Sequence, residues 1–138
     1  MKKREALEVA IRAAVPGWVR EEFQWGRADC LLSLADIILA ARGYDPAAQF
    51  RGRYKTRIGA YRVTRDFGGP AGALAAMAYE CGWNEIDPLR AKIGDIGTFA
   101  NGPASGGVIR DSLIWIGRTE AGFAGIPAAQ VDRAWRVK

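Results

Sequence analysis

Three observations predict an α+β domain. Segments with helical spacing lie before Gly82, and the short apolar runs with strand character follow Trp83. The most apolar helix, between Asp29 and Gly43, has the all-round hydrophobicity of a central packing element. A chain of 138 residues with 49% hydrophobic content suffices for one core and is too short for two. Residues 1–138 are therefore expected to form one domain. Its N-terminal helices, with the Cys30 helix central, should pack on a small C-terminal antiparallel sheet or partial barrel.

In chain order, residues 3–15 place Ala6, Leu7, Val9, Ala10, Ala13 and Ala14 at amphipathic spacing, and Pro16 with Gly17 should break that helix. Asp29 is a good N-cap for the central helix. Only Ser33 and Asp36 interrupt its apolar run from Leu31 to Ala41, and Gly43 supplies the stop. Tyr44 to Pro46 turn the chain, and 47–50 form a short helical turn. Residues 58–67 make a helix with one basic side, ended by Gly68, Gly69 and Pro70, and 72–81 make an alanine-rich helix stopped by Gly82. Beyond it, Glu85 and Ile86 pair briefly, 88–90 turn, and 93–100 run from a Gly94-Asp95 turn into a strand. The loop 101–107 is glycine-rich. Residues 108–116, with the run Leu113-Ile114-Trp115-Ile116, form one buried strand, and 117–122 make a hairpin-like connection. A strand at 123–126, a turn at 127–131 and a closing strand at 133–137 complete the sheet.

Twenty Lys and Arg against 15 Asp and Glu give a net charge of +5, but the basic residues are scattered. The mild cluster Arg51, Arg53, Lys55, Arg57, Arg62 and Arg65 lacks aromatic interleaving or helix-turn-helix spacing, so no nucleic-acid partner is expected. It reads as a solvated basic face suited to an acidic partner. Two cysteines make neither a disulfide framework nor a metal quartet, and no phosphate-binding, dinucleotide or zinc pattern is present, so no metal or cofactor is expected. The N-terminus turns charged again too soon for a signal peptide, and no run is long enough for membrane insertion.

Cys30 carries the chemical interest. At the first turn of a buried helix, free N–H groups and the positive end of the macrodipole favour a thiolate. The alternative is an inert, buried thiol, the reading that also suits Cys81. Asp29 is a helix cap before it is a catalytic acid, and Asp95 a turn residue that binds its own backbone. Trp25, Trp83, Trp115 and Trp135 read as core, with a second reading for Trp25. Trp18 and Trp25, near the Cys30 loop, are candidates for a groove or a partner contact, as are Arg53 and Arg57 on the basic face.

A cysteine opening a buried helix in Asp29-Cys30, a strand start at Gly94-Asp95-Ile96, and a short apolar strand ending in glycine at 111–117 resemble the NlpC-type branch of papain-like cell-wall peptidases. More closely, WGRADC, GYDP, RGRY, GA, GG, GDIG and a terminal AWRV occur in an order that resembles a group of small tailed-phage proteins with this fold. This second resemblance runs from about Phe23 to the C-terminus. It implies a papain-like NlpC-type fold, and partners among phage tail-tip components, the hub and the large central tail protein. It also implies a place at the virion tail tip after synthesis in the host cytoplasm.

The resemblance puts the nucleophile at Cys30 and the catalytic histidine at Asp111, yet the chain has no histidine at all. The residue that orients the histidine would fall within 123–126, where nothing suitable stands, and the serine and glycine that follow the nucleophile are Leu31 and Leu32. A carboxyl group with an ordinary pKa of about 3.9 rarely holds a proton to donate at neutral pH, and general acid–base help is worth roughly 10²–10⁴-fold. The expected function is thus a structural or assembly component of a phage tail tip with a degenerate cysteine-peptidase fold. The alternative is an active cell-wall peptidase or amidase using Cys30. As an adaptor, the helical half would present Trp18, Trp25 and the Arg51 to Arg65 surface, and the loop 101–107 would order against a neighbouring subunit.

Overall fold

A computed structural model describes residues 2–99 and 106–138. Four helices come first: α1 (Lys3–Arg20), α2 (Cys30–Arg42), α3 (Arg57–Thr64) and α4 (Pro70–Glu80). Six strands follow: β1 (Asn84–Ile86), β2 (Ile96–Phe99), β3 (Gly106–Arg110), β4 (Trp115–Thr119), β5 (Gly122–Ile126) and β6 (Arg133–Arg136). They form one antiparallel sheet in the order β1-β6-β2-β3-β4-β5, so the C-terminal strand lies between β1 and β2. The α+β class and the helices-then-strands order are as expected.

Alternation across the strands divides the core. Ile96, Ile109, Ile116 and Trp135 join the helix-side cluster with Leu7, Leu32, Leu34, Ile38, Leu74 and Met77. Val108, Trp115, Val131 and Ala134 form a second cluster with Ile86, Ala91 and Ala128, beside the 3₁₀ turns 88–90 and 128–130. α2 is central because its ends and its apolar surface are both fixed. Asp29 caps Leu31 and Leu32, Gly43 closes the helix in the left-handed conformation, and Leu31 through Ala35 with Ile37 and Ile38 are buried.

Four boundaries differ from expectation. Helix α1 continues through Pro16 and Gly17 to Arg20. Pro16 is exposed, so its missing bond opens on the solvent side, while Trp18, seven residues after Ile11 on the same face, is 4% exposed and anchors the last turns in the core. Pro70 begins α4 instead of ending the segment before it, because its fixed φ suits the first helical position. The expected single strand over 108–116 is two strands joined by a turn. Asp111 accepts from its neighbour Ser112 N–H, its own N–H donates to Ile114 O, and Leu113 is 90% exposed. Finally, the expected connection 117–122 is largely strand, with only Glu120 and Ala121 between β4 and β5. Most of the expected loop 101–107 lies outside the described residues; Gly106 and Gly107 belong to β3.

Asp95 ties the two halves together. Fully buried, its carboxylate accepts from Arg4 Nη1 on α1 at 2.8 Å, Arg136 Nε on β6 at 2.9 Å and Lys92 N at 2.8 Å. It does hold its own turn, as expected, and it also clamps the first helix to the last strand. Gly94 before it has φ +91°, and a Cβ there would lie 2.5 Å from Leu7 Cδ1, so the tight approach of α1 requires glycine.

Candidate functional site

The loop before Cys30 is fixed by hydrogen bonds that account for most of the short motifs around it. Asp29, 1% exposed, caps α2 through Leu31 N and Leu32 N at 3.1 and 2.9 Å. Its other oxygen accepts from Gly26 N at 2.9 Å and from the Tyr54 hydroxyl at 2.6 Å. Gly26 has φ +85°, and a Cβ would sit 1.8 Å from Tyr54 O, so the two chain segments meet backbone to backbone. Behind them, Arg51 pairs with Asp45 and with Asp36 at 2.8 Å each, and Asp45 also accepts from Ala47 N. The two polar interruptions of α2 are thereby explained: Asp36 meets Arg51, and Ser33 Oγ accepts from Arg118 Nη1 at 3.3 Å.

This corner delivers Cys30 to the first turn of α2, yet the thiol is held protonated. Burial, then the adjacent Asp29 charge, push its pKa up from 9.0 to about 12, against the opposing pull of the Leu31 and Cys30 N–H groups. The helix-terminus effect is present and is outweighed by desolvation. Asp29, the residue that builds the corner, is also one of the two causes that suppress the thiolate.

Cys30 lines a cleft of about 420 Å³. Phe23, Trp25 and Phe99 form aromatic wall, with Phe23 and Trp25 edge to face at 4.9 Å, and Gly106, Gly107 and Gly117 contribute bare backbone. β3 and β4 pair at Ile109↔Ile116 and Arg110↔Trp115, and the cleft lies where 106–108 and 117–119 continue past that pairing. The ionisable groups that share the cleft with Cys30 are Arg57, Tyr61, Arg118 and Glu120, and no carboxylate among the described residues accepts a hydrogen bond from Sγ.

Asp111 is not among them. It follows the far end of β3 and lines a separate pocket with Arg4, Lys92, Ile93 and Arg110, whereas Cys30 lies by the β3 start. The two positions matched to a nucleophile and its base are therefore not brought together. The alignment of 111–117 with one strand fails for the reason given above: Asp111 begins a turn. Trp18 is buried in the helix-side core and is not available to a partner. Trp25 is half-buried on the cleft wall. Arg57 is exposed at the cleft, 5.9 Å from the Tyr61 ring, and Arg53 is exposed with a hydrogen bond to Gln49 O.

The residue missed in the sequence is Arg118. It is 5% exposed, lines the cleft, and donates to Ser33 Oγ and, at 2.9 Å, to Glu21 O. Its signal was weak: a lone arginine in an apolar strand, opposite a lone serine in an apolar helix. No group of three or more His, Cys, Asp or Glu that could hold a metal ion occurs among the described residues, and no described helix is long and apolar enough to cross a membrane.

Fold and site thus define a small α+β domain in which a protonated thiol and a buried arginine share an aromatic cleft. The chain belongs to the DUF6950 family, described as a domain of unknown function, whose family model matches residues 2–137. No curated protein and no solved structure matches it.

Proposed function

We propose that this chain is a structural or assembly component of a phage or phage-like tail tip, built on a papain-like NlpC-type fold that has lost its chemistry. The observation that carries the non-catalytic half is the state of Cys30: a thiol raised to about 12, with glycine backbone on the facing strands and Asp111 at the other end of β3. A peptidase at neutral pH needs a thiolate and a proton donor at one place. What supports the fold assignment is a cysteine opening a buried helix against an antiparallel sheet. The tail-tip half rests on the order of the motifs from Trp25 to Val137. The partners proposed are the hub and central tail proteins, met through Trp25 and Arg57 at the cleft and through the exposed Arg53.

The test is to delete the gene from the genome that encodes it and examine the particles. Loss of the tail tip, with the wild-type chain found in tip fractions or in assembly intermediates, is the expected result. Normal, infectious tails without the chain would sink the proposal. Arg53→Glu combined with Arg57→Glu should reproduce the assembly defect while leaving the isolated domain folded. The peptidase alternative is favoured by the open cleft around Cys30. It requires a thiol that alkylates readily below pH 8.

A further inference from the structure

Arg118 presents an unusual electrostatic situation. Its guanidinium is withdrawn from water, and both of its hydrogen-bonding partners, Ser33 Oγ and Glu21 O, are neutral. Its Nε is buried without a hydrogen-bond partner, and no carboxylate among the described residues forms an ion pair with it. A buried charge is ordinarily paired, because desolvation is recovered only through an opposite charge and a full set of hydrogen bonds. Arg51, half-buried, follows that rule with two carboxylates. Arg118 departs from it on the wall of the aromatic cleft that holds Cys30, where Arg57 adds a second positive charge and Glu120 one negative.

On these grounds we infer that the Cys30 cleft is a binding site for a carboxylate, and that its occupant is the free C-terminus of a partner polypeptide ending in an apolar residue. Each part of this statement has a physical origin. Arg57 and Arg118 against Glu120 leave one net positive charge, which calls for one negative group. A guanidinium fork matches the two oxygens of a carboxylate. Phe23, Trp25, Phe99 and Ile126 offer apolar surface to the side chain that accompanies it. The depth of Arg118 selects a chain end over an internal acidic residue. A terminus enters with one strand of backbone, whereas an internal Asp or Glu must bring chain in and out through the same cleft. The backbone of Gly106, Gly107 and Gly117 lines the same cleft, although a Cβ at Gly107 would meet Leu74 and Leu34 of the core and not the cleft.

The inference rests on the non-catalytic reading of the cleft, since it describes binding without turnover. The test is to pan the whole protein against a display library of hexapeptides with free C-termini and then to synthesise the selected peptides as acids and as amides. Acids that bind, and lose about tenfold or more on amidation, are the expected result. Arg118→Met should remove the binding and leave the thermal midpoint unchanged or raised, because it removes an uncompensated buried charge. Trp25→Ala, which leaves the guanidinium in place, should weaken the same peptides and keeps the test valid if Arg118→Met does not fold. Absence of binders, or binders indifferent to amidation, overturns the carboxylate site. Cleavage of a bound peptide, seen by mass spectrometry, overturns the non-catalytic reading instead and leaves the carboxylate site standing.

Discussion

Asp95 and Arg118 are both buried charges on the sheet, and their surroundings differ in kind. Asp95 has two arginines and a backbone N–H at 2.8–2.9 Å, so its desolvation is offset within the fold. Arg118 has two neutral acceptors and an unused Nε. The first charge joins α1 to β2 and β6, and the second opens onto a cleft. Asp95 is satisfied by its own chain and belongs to the architecture, whereas Arg118 lies beside the cleft with no carboxylate partner among the described residues. The difference can be tested by removing charges of each type.

The largest effect is expected from Asp95→Ala. It leaves Arg4 and Arg136 facing each other without their shared anion and opens the Lys92 turn, so a loss of about 3 kcal/mol or more is expected in urea unfolding. A change under about 1 kcal/mol would mean that the clamp is ornamental and would erase the contrast with Arg118. Asp29→Ala comes next. The cap, the Gly26 bond and the Tyr54 hydroxyl all lose their acceptor, for an expected cost of about 2–3 kcal/mol. The milder Asp29→Asn should keep much of the fold and lower the Cys30 pKa, because the neighbouring charge is the second cause of its elevation.

A third, subtler effect concerns pH. In a Cys81→Ala background, alkylation of Cys30 should keep accelerating towards pH 12. At pH 8 its thiolate fraction should be roughly a thousandfold below that of a thiol titrating at 9.0. The unfolded chain gives up this proton first, so between about pH 9 and 12 the native state binds more protons and stability falls as pH rises. Cys30→Ala should flatten that part of the stability profile. A thiol reacting as a free one at pH 8 would restore the catalytic alternative.

How much of this was legible beforehand depends on whether the signal was local. The N-cap Asp29, the stop at Gly43 and the alanine-rich helix were readable, because capping and periodicity act over three or four residues. The class followed from the order of segments. A single strand over 108–116 is suggested by apolar Leu113 and Ile114, which nevertheless turn outward beside Asp111 and Ser112, whose side chains favour the turn. Pro16 suggests a helix end before Trp18, but the core face of α1 runs past it and buries that tryptophan. Arg118 could not have been found by pattern: its meaning lies in Ser33, 85 residues away, and in the absence of a carboxylate, which only the tertiary arrangement displays.

The smallest effect is predicted for Asp111→Ala, and it separates the two ends of β3. Asp111 is half-buried and holds Ser112 N–H, with Arg110 donating to its carbonyl, so its side chain serves a turn. Its loss should cost at most about 1 kcal/mol. The Cys30 alkylation profile should not move, since Asp111 faces another pocket and is not among the influences on the thiol. Peptide binding in the cleft should be equally unaffected, in contrast to Arg118→Met. Were Asp111→Ala to shift the thiol or abolish binding, the two ends of β3 would be coupled, and the assignment of Asp111 to the sheet's turn and Arg118 to the cleft would have to be redrawn.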